Sequence, residues 1–217
     1  MSAAASGTKR TRADIAAETR EAILTAACEV IAEIGFEKIR MRMVAERAGV
    51  STAALHYHFD TRENLFAEAL RFSFDHTGAD VYEVDDSGTK DSATARLARI
   101  ISASLPSTPD LRREWAMWQE LWCRAGREPE SRALAIELYR AQQDWIRETL
   151  DDGISSGEFT PCDTVAHAQL LCSLCDGYGV QLMFQQPNLT IEAASAAIWE
   201  HAVRPLGLTS AFPGQAL

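Results

Sequence analysis

The chain has 217 residues, 47% hydrophobic and 24% charged, with a formal net charge of −10. That is long enough to bury a full core in one or two compact units, and the composition is ordinary for a globular protein. No apolar run approaches the ~18 residues of a membrane-spanning helix, and Lys9, Arg10 and Arg12 are not followed by the apolar stretch of a secretory signal, so a cytoplasmic protein with no membrane partner is expected.

The charge is unevenly placed. Residues 1–72 hold ten Lys/Arg and ten Asp/Glu, whereas the rest of the chain holds 11 against 21. A neutral head on an acidic body is compatible with DNA when the head's basic patches face the phosphates.

Almost every segment carries the 3.6-residue period, and no alternating strand pattern stands out, so the fold class is all-α with about nine helices. After a basic arm (1–11), Ile15, Ala22, Ile23, Ala26, Ala27, Val30, Ile31 and Ile34 form an apolar stripe that Gly35 ends. A short helix spans about 40–48 and breaks at Gly49, where the turn needs positive φ. A third begins at Ser51, a natural N-cap, and runs to about Tyr57. Asp60-Thr-Arg-Glu63 opens a longer helix with a capping-box-like pattern, Asp60 standing as the cap. Residues 84–92 read as a polar loop. Further helices fit 93–104, 109–125, 130–152, 163–185 and 190–204, with breaks at Pro106/Pro109, Gly126/Pro129, Gly153/Gly157/Pro161 and Pro187, and Pro205 closing the last.

Residues 36–66 form a helix-turn-helix. Ala45 is small enough for two helices to cross closely, and Met41, Val44, Val50 and Leu55 supply the apolar contacts between them. The second helix offers Ser51, Thr52, Ala53, His56 and Tyr57 at its N-terminal and outward positions. A helix of this kind enters the major groove of double-stranded DNA, while hydroxyls and amides meet phosphates.

The pattern Ala45…Ala48-Gly49-Val50-Ser51…Leu55-His56-Tyr57-His58-Phe59…Arg62-Glu63-Asn64-Leu65 resembles the signature of the TetR family of one-component repressors. The resemblance covers residues 15–66. It implies a two-fold dimer on a palindromic operator and release from DNA when a small molecule binds. It also implies Ser51, Thr52, Ala53, Tyr57 and His58 at or near DNA, with Arg62 in place of a lysine that meets phosphate. Three positions depart from the family: Arg40 where a hydroxyl caps helix 2, Ala53 for a glycine, and His56 for an aromatic. Arg40 cannot cap and its charge opposes the helix dipole, but it and Arg42 are placed to meet phosphate. Arg47 reads as a solvated helix charge. The head is assigned to 12–58, a ligand-binding and dimerisation domain to 59–205, and a tail to 206–217.

In the body, Trp115, Trp118 and Trp122 share one helix face, and Asp176 sits inside an apolar helix, where burial demands a partner: a ligand ammonium, an arginine or a backbone amide. Aromatic rings beside acids such as Glu114, Glu120 and Asp176 suit a cation, so the expected inducer is a small organic cation. Trp115-Ala-Met-Trp-Gln-Glu-Leu-Trp122 with Pro129, Gly153-Ile-Ser-Ser-Gly-Glu-Phe159 and Cys175-Asp-Gly177 resemble the C-terminal domain of the TetR subgroup that includes choline- and betaine-responsive repressors. Candidate ligand residues are Trp115, Trp118, Gln119, Trp122, Asp176 and Tyr178. Leu170, Leu174, Gly177, Gln181, Phe184, Ile191, Ala194, Ile198 and Ala202 recur at helical spacing as the candidate homodimer interface.

The five cysteines are Cys28, Cys123, Cys162, Cys172 and Cys175, an odd number in helical patterns, unlike a disulfide framework. Cys172 and Cys175 form a C-x-x-C in an apolar run, read first as buried small hydrophobes. His56, His58, His76, His167 and His201 show no metal spacing, and neither a nucleophile elbow nor a phosphate loop occurs. No catalytic residue, metal or cofactor is expected. The alternatives are a redox regulator using Cys172 and Cys175, or an adaptor whose head no longer reads DNA.

Overall fold

The structure is a computed structural model that describes residues 11–82, 91–208 and 212–213. The expected basic arm, apart from Thr11, and most of the 84–92 loop and 206–217 tail lie outside the described residues. Within them the fold is all-α, with nine α-helices and no helix long and apolar enough to cross a membrane. The chain divides into two compact units, one ending at Ala69 and one beginning at Leu70.

The first unit holds α1 (Arg12–Ile34), α2 (Met41–Arg47), α3 (Thr52–His58) and the opening turns of α4 (Arg62–Tyr82). Thr11 starts α1 through a capping box with Asp14: its hydroxyl accepts from Asp14 N at 3.1 Å, and its own N–H donates to Asp14 Oδ2 at 2.8 Å. Those bonds hold the Asp14 carboxyl below its ordinary range. Gly35, at φ 80°, ends the helix as expected. The buried face begins at Ile23, whereas Ile15 and Ala22, expected in the stripe, are exposed. Length explains the difference: seven-residue helices of about 10 Å each cannot cover a 23-residue helix of about 35 Å.

Between α2 and α3 the chain turns in a Schellman motif. Val50 N donates to the Ala45 carbonyl (3.0 Å) and Gly49 N to that of Glu46 (3.2 Å), with Gly49 at φ 67°. No atom lies within 4 Å of where a Gly49 Cβ would sit, so glycine is needed there for its φ alone. Ser51 caps α3 by accepting from Ala54 N at 3.0 Å. At α4 the hydroxyl of Thr61, not Asp60, accepts from Asn64 N (3.0 Å), so the expected cap is shifted by one residue.

The second unit contains α5 (Ala93–Ala103), α6 (Pro109–Ala125), α7 (Pro129–Ser156), α8 (Thr164–Met183) and α9 (Ile191–Ile198). Ser92, Thr108, Asp163 and Thr190 cap four of these helices, and prolines occupy the first positions of α6 and α7, where no N–H is required. Glu158 closes a further gap by accepting from the free N–H groups of Ala93 and Thr94 at 3.0 Å each. Gly153 does not break α7. It is buried inside the helix, where a Cβ would lie 2.2 Å from the Phe159 ring, and Gly157 in the left-handed region (φ 80°) ends the helix. The last expected helix also divides: α9 gives way to a π-turn at Trp199–Val203 and a 3-10 turn at Arg204–Leu206 that contains Pro205. Leu97, Ile101, Leu171, Ile198 and Trp199 stand at the centre of this unit's core.

Candidate DNA interface and ligand cavity

In the first unit, Leu55 and Phe59 of the α3 segment are buried, as are Val44, Ala45 and Phe36, and the other face of α3 is left in solvent. Thr52, Ala53 and His56 are exposed there, as is Ser51, whose hydroxyl is engaged as the cap acceptor. Tyr57 is the most open of the large hydrophobic side chains among the described residues, 82% exposed. His58 is half-buried, its ring edge-on to Tyr57 at 5.1 Å. Arg40 is exposed and makes no capping bond, and Arg42 faces solvent with Glu46 3.2 Å away. Arg62 is already held in place: its guanidinium lies over the Phe36 ring at 4.7 Å and donates to Glu63 Oε1 at 3.0 Å. Arg47, read as a solvated charge, instead ties α2 to α1 through Glu29 (3.0 Å) and Glu33 (2.8 Å). The outward surface of α3 is thus polar, aromatic and exposed.

The second unit contains a partly open cavity of about 50 Å³. Each water needs roughly 10–15 Å³ on this scale, so the space admits a small organic molecule. Trp115, Trp118 and Trp122 of α6 line it, joined by Phe74 of α4 and by Tyr139 and Trp145 of α7. Phe74 stacks on Trp145 at 4.3 Å and 11°, and Trp115 meets Trp122 edge-on at 5.6 Å. Neither Gln119 nor Tyr178 lines the cavity: Gln119 is half-buried elsewhere on α6, and Tyr178 packs on the apolar core. Glu120 also stands outside it.

Two carboxyl groups reach the cavity. Asp176 of α8 accepts from the Tyr139 hydroxyl at 2.7 Å, a partner different from the ammonium, arginine or amide expected. Burial pushes its carboxyl up, and the Tyr139 bond opposes that shift. Glu114 of α6 accepts from the Thr77 hydroxyl and from Trp118 Nε1, the latter at 3.4 Å. Burial pushes Glu114 up to about 7, although both bonds pull the other way. Among the described residues no Lys, Arg or His lines it. The indole N–H of Trp122 is buried beside Tyr139 without meeting hydrogen-bond geometry. Glu114, Trp145 and Tyr139 complete a chamber that the three α6 tryptophans announced only in part.

On α8, the exposed stripe includes Leu170 (45%), Gly177, Gln181 and Phe184 (72%). Leu174 and Ile191 are half-buried against the chain's own core. Ala194, Ile198 and Ala202, expected at the interface, are fully buried within one chain, so no partner surface can reach them. They fall on the inner face of the last turns because helical spacing alone does not say which side a helix offers inward.

Comparison with known proteins agrees with this arrangement. Residues 23–69 match the family described as "Bacterial regulatory proteins, tetR family", and residues 93–207 match "BetI-type transcriptional repressor, C-terminal". The transcriptional regulator BetI of Agrobacterium fabrum is 24% identical over 84% of this chain and 85% of its own. RutR of Escherichia coli is 41% identical over 29% of each chain. A regulator from Saccharomonospora viridis, solved in complex with choline, is 28% identical with a TM-score of 0.70, covering 85% of this chain and 97% of that one. A TetR-family regulator from Rhodococcus sp. gives 26% identity and a TM-score of 0.77, covering 88% and 99%. With residues 93–207, more than half of the chain, and residues 23–69 of its head both matched, the chain belongs to the TetR family of transcriptional regulators.

Proposed function

We propose that this regulator is a homodimeric repressor that holds a palindromic operator through α3 and lets go when a small organic cation occupies the cavity of its second unit. One observation carries the ligand class: among the described residues, six aromatic side chains and two carboxyl groups line the cavity and no basic side chain does. Ring faces attract cations through their quadrupole, and desolvation strengthens the attraction. A neutral lipophile would offer these acids no counter-charge, and an anion would be disfavoured beside them. The choline complex of the 28% identical relative supports the same class. Two heads related by a two-fold axis call for half-sites about one helical turn apart. The cation weakens DNA binding by its differential affinity for the two states, and by no more than that.

Two measurements test the proposal. Calorimetry against choline, tetramethylammonium, a neutral lipophile and a carboxylate is expected to give binding for the cations, and binding confined to the other two would defeat it. Electrophoretic mobility shifts on DNA from upstream of the gene are expected to show salt-dependent binding that Tyr57→Ala weakens at least tenfold. Unchanged affinity would remove α3 from the interface.

A further inference from the structure

We propose that cation uptake by this cavity is an exchange: Glu114 holds a proton in the empty site and gives it up to water when a cation seats against the aromatic walls. The inference rests on the cation reading above and assigns Glu114, rather than Asp176, as the group whose charge answers the ligand.

The geometry separates the two acids. They line one small aromatic chamber, and among the described residues no basic side chain lines it to offset either charge. A carboxylate buried there without a counter-charge is disfavoured, and more so the deeper it lies. Asp176 receives a short hydroxyl bond from Tyr139 at 2.7 Å, which stabilises it as the anion. Glu114 accepts from the Thr77 hydroxyl and, at 3.4 Å, from Trp118 Nε1, so depth of burial rather than hydrogen bonding sets the two acids apart. Its carboxyl is more deeply shielded, and burial raises it to about 7 while Asp176 is raised from a lower starting point. From the helices packed around the cavity, the other titratable side chains that line it are Tyr139 of α7 and Asp176 of α8; α4 and α5 contribute none. A seated monocation reverses the balance, because its positive charge in the same chamber favours the second carboxylate. The proton leaves as H⁺ to solvent, and no covalent bond to the ligand forms.

The consequence is a cation site that weakens in acid. With a quaternary ammonium, whose own charge does not titrate, choline calorimetry on the full-length protein in buffers of different ionisation heat should report release of about one proton per cation at pH 6. The release should fall towards zero by pH 8.5. The dissociation constant should rise roughly tenfold per pH unit below about 6.5. Glu114→Gln should bind more weakly and lose the pH slope, whereas Asp176→Asn should keep it. Cation binding with no proton release by the unmodified protein overturns the exchange. A slope that survives Glu114→Gln and vanishes in Asp176→Asn overturns the assignment to Glu114. Absence of cation binding at pH 8.5, where Glu114 is ionised, defeats the cation reading itself.

Discussion

Gly179 of α8 lies against the indole of Trp115 of α6, so close that a Cβ at residue 179 would stand 2.0 Å from Cζ2 of the ring. Trp115 is 6% exposed and forms part of the cavity wall. It is a rigid plane that cannot yield at its far end as a lysine would. Gly179→Ala therefore forces the ring inward or the helices apart, at an overpacking cost of about 1–3 kcal/mol. In a domain of this size, that lowers the melting temperature by ~2–4 °C per kcal/mol. Ligand affinity should fall with it. Gly126→Ala is the control: its Cβ meets nothing within 4 Å, and its φ of −64° suits alanine, so a change under ~0.5 kcal/mol is expected. Equal melting temperatures for the two variants would contradict the close contact.

Glu114 gives stability an unusual pH dependence in the ligand-free protein. Its folded value of about 7 lies above the 4.5 of an unperturbed glutamate, so between those values the native state binds more protons than the unfolded chain. Stability from this group is therefore lost as pH rises from about 4.5 to 7, by roughly 3 kcal/mol at ~1.4 kcal/mol per unit. Glutamine keeps the acceptor for Thr77 and cannot ionise. Glu114→Gln should thus raise the melting temperature at pH 8, with the gain shrinking towards pH 5. Denaturation followed by circular dichroism across that range checks the sign; a gain that grows in acid would refute it.

The head was legible from local signals because its constraints are local. Gly49 needs positive φ, Ser51 must cap, and Val44, Ala45 and Leu55 must face inward, each readable within a few residues. Asp60 misled because Thr61, one position on, also carries a capping oxygen, and only the chain's path selects between them. The cavity was half legible. Trp115, Trp118 and Trp122 share a face by periodicity, whereas Tyr139, Trp145 and Thr77 enter from α7 and α4, and helix packing decides which turns meet. Asp176 signalled itself as a polar residue in an apolar helix, but its Tyr139 partner lies 37 residues away in sequence. Ala194, Ile198 and Ala202 show the same limit, since an apolar stripe fits an own core and a partner's surface equally well.

The C-x-x-C pair offers a separate test. Cys172 and Cys175 are both buried, and burial pushes Cys172 up to about 12 and Cys175 still higher. Thiolate is the reactive form, so neither thiol should act as a redox sensor near neutral pH. Cys123 and Cys162 are exposed and should react first with a thiol-specific disulfide reagent at pH 7.5. Cys172 and Cys175 should need denaturant. Rapid modification of either in the native protein, or loss of DNA binding on mild oxidation that Cys172→Ser prevents, would restore the redox reading.

The exposed face of α8 carries the prediction about assembly. Leu170, Gly177, Gln181 and Phe184 follow one another along that face without a charge among them, and Phe184 is 72% exposed in the single chain. An aromatic so open, continuous with a small-residue stripe, suits an isologous contact in which the same face meets itself across a two-fold axis. A carboxylate there would stand opposite its own copy, so Leu170→Glu and Phe184→Glu should each shift the protein from dimer to monomer in size-exclusion chromatography with light scattering. Helical content should be kept. Ala194→Glu should behave differently, because that position is wholly enclosed in one chain and a buried unpaired charge unfolds the domain. A dimer that survives both α8 substitutions at micromolar concentration would move the two-fold axis to another surface.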